Sequence, residues 1–335
     1  MKKREKFFLA ILILVFFTGS IFFVFSKENK NWSVEGKGEG LKKKEVKQVK
    51  KSPFSGLPCG NADGRAFGTI IAEYPETMPL SSPFEADIVI EAPTNKSGGL
   101  TRLLAIYQCQ SPKEIGSIRS ARPYMADLAL GFDLVFSSWG GCDSATSRIR
   151  DIGLDWLDAR VNPSGAFFRK RNVPAPHNGF GSLDKLKVAA RNLGMRKENK
   201  FEGYNFIEEN EITLSSDSQA INIDYHYPVK YVYDPETGDY FRFWNGSKMI
   251  DRNTSKQVFA KNVVLIKTEI GVLSSGVANI KVVGKGQAKV YQSGKEIDGT
   301  WEKKNSKGKL NFFDESGEEI KFVPGPIWIE VTDNW

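Results

Sequence analysis

Apolar positions along this chain fall into three regimes. From Phe7 to Phe25 they run almost unbroken, interrupted only by Thr18, Gly19 and Ser20. From about Phe54 to Gly194, short apolar runs alternate with segments of helical spacing. After Phe201 the helical spacing stops, and brief alternating runs separated by turn residues continue to the end. The first regime is long enough to cross a bilayer, because its 19 residues rise ~28 Å as a helix. The second predicts an α/β N-terminal domain and the third a mostly-β C-terminal domain. The expected fold is thus these two domains preceded by one transmembrane helix. The boundaries are a cytoplasmic tail at 1–6, an anchor at 7–25, a charged linker at 26–52, the α/β domain at 53–200 and the β domain at 201–335.

Within the second regime, Phe67-Gly-Thr-Ile-Ile-Ala72, Asp87-Ile-Val-Ile-Glu91 and Leu100 to Cys109 read as strands, as does Asp133 to Ser137. Helices are expected over Tyr124–Leu130, Ser144–Ile152 and Leu183–Leu193, the last with Ser182 as N-cap and Gly194 as its stop. In the third regime Ile221 to Tyr227 alternates cleanly, with further strands at Tyr231–Tyr233, Tyr240–Phe243, Asn262–Thr268, Asn279–Val283, Ala288–Tyr291 and Ile327–Val331. Turn signals at Asp234–Asp239, Asn245-Gly246, Ser293-Gly294, Lys307-Gly308 and Ser316-Gly317 predict a small antiparallel arrangement. His226 falls on the polar face of its strand, which predicts a solvated ring.

Charge places the chain relative to the membrane. Lys2, Lys3, Arg4 and Lys6 precede the apolar run, so the N-terminus is expected in the cytoplasm and the body outside it. No Ala-x-Ala-like cleavage site follows, which favours an uncleaved anchor over a removed signal peptide. Residues 1–52 carry 13 basic and 5 acidic residues, a net of +8, whereas the whole chain carries +7. The body is therefore near neutral, and the basic balance belongs to the tail rather than to a nucleic-acid groove; no nucleic-acid partner is expected. With two histidines and three cysteines lacking C-x-x-C spacing, neither a metal site nor another cofactor is expected. One disulfide among Cys59, Cys109 and Cys142 is permitted outside the membrane, with the pair left open.

Candidate chemistry concentrates in Lys113 to Tyr124. Pro123 suits the first position of a helix, and the residue before a proline is pushed out of the α region, so Arg122 is the expected N-cap. Arginine offers no acceptor to the orphan amides of the first turn, and two guanidinium groups beside an uncapped helix start suit an anion. Eight of the 14 arginines lie between Arg102 and Arg171. Arg169-Lys-Arg171 precedes the proline-stiffened loop Pro174-Ala-Pro-His177-Asn178. Arg102, Arg119, Arg122, Arg169, Arg171, His177 and Asn178 are accordingly the expected ligand-binding residues, with no catalytic residue assigned. Two readings compete: the arginines converge on an anion, or Arg119 and Arg122 pair with Glu114, Asp127 or Asp133. Cys142, at a strand-to-helix turn with His177 as a conceivable base, is a weaker candidate, because no third member is present and Asp143 opposes a thiolate.

Taken in order, Ala86-Asp-Ile-Val-Ile-Glu91, Gly98-Gly-Leu-Thr-Arg-Leu-Leu-Ala-Ile-Tyr107, Ile115-Gly-Ser-Ile-Arg-Ser-Ala-Arg-Pro-Tyr124, Ala175-Pro-His-Asn178, Tyr233-Asp-Pro-Glu-Thr-Gly238, Gly299-Thr-Trp301 and Trp328-Ile-Glu-Val331 resemble the YerB-like lipoprotein family, extracytoplasmic bacterial proteins without an established activity. The resemblance spans roughly Pro53 to Glu330; the hydrophobic anchor replaces the family's lipobox cysteine. A fainter resemblance joins Thr101–Tyr124 to the LytR-CpsA-Psr enzymes, and it implies a phosphotransferase acting on polyprenyl-phosphate-linked glycopolymers. That family's acidic metal ligand has no counterpart beside Arg102. The expected function is a single-pass, membrane-anchored extracytoplasmic protein binding an anionic envelope polymer or lipid phosphate through an arginine-rich cleft. Its β domain would dock a protein partner or support the first domain. The transferase is the first alternative and a non-catalytic envelope scaffold the second.

Overall fold

The apolar runs of the first half become central strands. The computed structural model describes residues 49–335; the expected tail, anchor and all but the last four residues of the linker lie outside the described residues. Strands β1 (Phe67–Ala72), β2 (Ile88–Pro93) and β3 (Thr101–Tyr107) are buried at every position, as strands covered on both faces must be. Helix α1 (Pro123–Gly131), β4 (Val135–Ser138), α2 (Asp143–Asp151), β5 (Trp156–Asp158) and α3 (Leu183–Asn192) follow. No helix among the described residues is long and apolar enough to cross a membrane.

The second half is mostly β. Its main strands are β6 (Ala220–Ile223), β7 (Val229–Asp234), β8 (Asp239–Trp244), β9 (Asn262–Lys267), β10 (Gly284–Gln292), β11 (Lys295–Lys303), β12 (Asn311–Asp314) and β13 (Ile327–Thr332). They divide between two sheets. β6, β7 and β8 form an antiparallel sheet of their own. The others extend the first-half strands into one ten-stranded sheet, ordered β12-β11-β10-β9-β13-β2-β3-β1-β4-β5. β13 sits between the two halves, parallel to both β9 and β2, with Ile327 opposite Asn262 and Ile88. Turn density predicts antiparallel neighbours, and this parallel strand departs from it for a physical reason. Turn residues mark where a strand stops, whereas a parallel pairing joins segments far apart in the chain.

Side-chain alternation sends successive residues to two cores. Ile70 and Leu104 face α1 and α2, packing with Tyr124, Met125, Leu128 and Phe136. Ile71 and Leu103 face the other way, toward α3 and the second sheet, with Leu186, Tyr231 and Trp328. That second layer holds a fully buried ionic group. Arg242 of β8 reaches Glu73 at 2.9 Å and also bonds Glu91, while Tyr231 donates to Glu330 at 2.5 Å. Cys59 and Cys109 form a disulfide with Cα atoms 5.4 Å apart, and Cys142 is free.

Candidate functional site

Arg102, the second residue of β3, lies opposite Ala72, the last residue of β1, and shares the α1-facing side of the sheet with Leu104. It is only 4% exposed. Its Nη1 donates to the Ser120 carbonyl at 3.0 Å, while its buried Nε has no partner. The loop after Gly116 is laid across the strand ends: the Arg119 N–H bonds the Ile70 carbonyl at 3.0 Å, and the Arg119 carbonyl takes the Trp139 N–H at 3.0 Å. The Nη1 of Arg119 is likewise buried and unpartnered. Arg122 is the N-cap of α1 in extended conformation, φ −126° and ψ 149°, as Pro123 requires, and no side chain caps the helix. Its Nη1 reaches the Ala121 carbonyl at 3.0 Å and the Ser120 carbonyl at 3.4 Å.

The proline loop supplies the outer wall. Arg169 ends a short strand, Phe167–Arg169, that pairs with Gly179–Gly181. Its Nη1 donates to Asn178 Oδ1 at 2.6 Å, and its guanidinium lies 4.2 Å from the centre of the Trp139 ring. Gly179 backs that ring so closely that a Cβ there would run into it. The His177 ring lies 4.8 Å from Tyr74, its carbonyl accepts the Ser117 hydroxyl, and its buried Nδ1 has no partner. Six of the seven expected residues are thus gathered around one loop. Arg171 stands exposed beyond them and, among the described residues, bonds none of them. Tyr74, Ser117 and Trp139 belong to the group although the sequence did not single them out. Their signal is position, since Tyr74 and Trp139 follow the ends of the parallel pair β1 and β4, where open α/β sheets bind ligands.

The carboxylates proposed as structural partners are occupied elsewhere. Glu114 pairs with Lys170 at 2.9 Å, Asp127 with Arg148 at 2.7 Å, and Asp133 with Arg196 and, at 3.8 Å, Arg65. Among the described residues, no carboxylate lies within the 4.0 Å pairing distance of Arg102, Arg119, Arg122 or Arg169. The electrostatic consequence is unrelieved repulsion. Burial, then Arg122 and Arg119, pull the Arg102 guanidinium below its ordinary pKa, against an opposing pull from Tyr74. Burial, then Arg122 and Arg169, lower that of Arg119, again against Tyr74. Burial first, and then Arg119 and Arg102, lower that of His177, partly offset by Glu76, so its ring is neutral at pH 7. The group therefore presents unfilled cationic donors and one neutral imidazole.

Cys142 does not join them. It caps α2, and its Sγ has Ser144 Oγ at 3.3 Å as partner, not His177. Among the described residues no three His, Cys, Asp or Glu side chains gather as metal ligands would.

Comparison with known proteins gives a consistent match. The model described as "Protein of unknown function (DUF3048) N-terminal domain" matches residues 54–196, and its C-terminal counterpart matches residues 220–329. The Bacillus subtilis (strain 168) protein named "Putative lipoprotein YerB" is 28% identical over 290 residues, covering 84% of this chain and 86% of that one. The crystal structure of the YerB protein from Bacillus subtilis superposes with a TM-score of 0.76 at 27% identity, covering 85% of this chain and 97% of that one.

Proposed function

The chain belongs to the YerB-like family of DUF3048 proteins, whose function is unknown, and from that premise we propose that it binds a phosphate-bearing anionic ligand of the cell envelope. The observation that carries this reading is the set of unpaired, buried guanidinium donors on Arg102 and Arg119, with no carboxylate in pairing distance among the described residues. Such a cluster raises the cost of folding, and an anion that fills its donors offsets that cost. Carbonyl partners for Arg102 and Arg122 hold the guanidinium groups in place without neutralising them.

The location belongs to the same proposal. The apolar segment at 7–25 and the basic residues before it support a single membrane anchor with the body outside the cytoplasm, and the relative's name as a lipoprotein points to the same compartment. The ligand would then be an envelope polymer or lipid phosphate.

Thermal unfolding with and without added phosphate tests the reading. Phosphate is expected to raise the wild-type melting temperature, since a ligand that binds only the folded state stabilises it. Arg119→Ala and Arg122→Ala are expected to stay folded and to weaken phosphate binding roughly 10- to 150-fold, the range for losing one charge-assisted contact. Variants that unfold, with a wild type indifferent to phosphate, would assign the arginines a purely structural role.

A further inference from the structure

Shared contacts link the arginines in a row from Arg102 to Arg169. Arg102 and Arg122 share the Ser120 carbonyl, at 3.0 and 3.4 Å. Arg119 stands one residue before that carbonyl and is tied by its own carbonyl to the Trp139 N–H. Arg169 lies over the Trp139 ring and ends the row. Electrostatic coupling follows the same order, because Arg102 responds to Arg122 and Arg119, whereas Arg119 responds to Arg122 and Arg169. Burial declines along it, from Arg102 in the interior to Arg169 at the surface.

Two buried donors without partners stand at different points of this row, Nε of Arg102 and Nη1 of Arg119. A carboxylate or a phosphodiester brings a single negative charge and would leave most of the guanidinium charge uncompensated. Resting on the anion reading above, we infer that the row takes two linked phosphoryl groups, a pyrophosphate or diphosphate ester, the inner one at Arg102, Arg122 and Arg119 and the outer one at Arg169. Bidentate guanidinium contacts suit the phosphoryl oxygens, and the neutral, unpartnered Nδ1 of His177 beside the outer position adds one group able to share a proton with them.

Calorimetric titration of the full-length chain in detergent micelles tests this with orthophosphate, inorganic pyrophosphate and farnesyl diphosphate. Pyrophosphate is expected to bind at least ~10-fold more tightly than orthophosphate. Arg169→Ala alters an exposed side chain, so the fold is expected to persist; it should weaken pyrophosphate ~10-fold and leave orthophosphate, seated at the inner position, within about 2-fold. Farnesyl diphosphate separates the sources: tighter binding than pyrophosphate indicates a lipid-borne diphosphate, equal or weaker binding a free one, and both keep the two-phosphoryl inference. Pyrophosphate binding no better than orthophosphate, or Arg169→Ala weakening both alike, overturns the inference while the anion reading stands. Absence of binding by any of them overturns both.

Discussion

At the scale of single residues, Arg122 sets stability against binding. The N-cap of α1 is a position where serine, threonine, aspartate or asparagine would satisfy orphan amides, and arginine satisfies none. Arg122→Ser is therefore expected to stabilise the chain by about 1 kcal/mol in urea unfolding while weakening phosphate binding. A loss of stability in that variant would mean that Arg122 serves the fold. This much was legible in the sequence, because proline fixes the backbone of its predecessor and the concentration of arginine between Arg102 and Arg171 is visible by inspection. The partners were not legible. Lys170 takes Glu114, Arg148 takes Asp127 and Arg65 with Arg196 takes Asp133, and each pairing depends on which chain segments pass one another. Arg171 is close to Arg169 in sequence, but the short strand ends at Arg169, so the two need not share a site.

At the scale of elements, the second sheet is fastened to the first by Arg242. Its guanidinium meets Glu73 and Glu91, lies 4.5 Å from the Trp328 ring and accompanies the Tyr231–Glu330 bond, all out of contact with water. One guanidinium cannot neutralise three carboxyls, and Glu91 responds accordingly. Burial first, then Glu330, push its pKa up to about 7, against the pull of Arg242. A folded-state value above the unfolded one means that the folded state holds the extra proton. The stability this proton contributes is complete below about pH 4.5 and is lost as pH rises through about 7. Burial also raises the pKa values of Glu73 and Glu330, so all three carboxyls act in the same sense. Urea midpoints measured from pH 5 to pH 8 should therefore fall, with Glu91 contributing up to about 3 kcal/mol of stability, and Glu91→Gln should make the slope shallower. A wild-type midpoint that rises over this range would contradict the assignment. Most strands were legible as apolar runs. β11 was not, because Lys295, Glu296, Asp298 and Glu302 interrupt its apolar positions, and only Trp301 and Lys303 are buried.

At the scale of the whole molecule, the halves seen as separate in the sequence share one sheet, since β13 returns from the end of the chain to pair with β2. Composition distinguished the α/β half from the mostly-β half, but it carries no information about strand order, which long-range backbone pairing decides. That sheet places the ends of β1 and β4 together under the loop bearing Arg119 and Arg122, and the proline loop closes over it from residues some sixty positions later. This assembly is proposed to hold an anion. Crystals of the protein soaked in tungstate, a tetrahedral anion located by its anomalous scattering, test it most directly. An anomalous peak is expected within hydrogen-bonding reach of Arg102 Nε and Arg119 Nη1, abolished by Arg119→Ala. Peaks confined to other surfaces, or none, would contradict it.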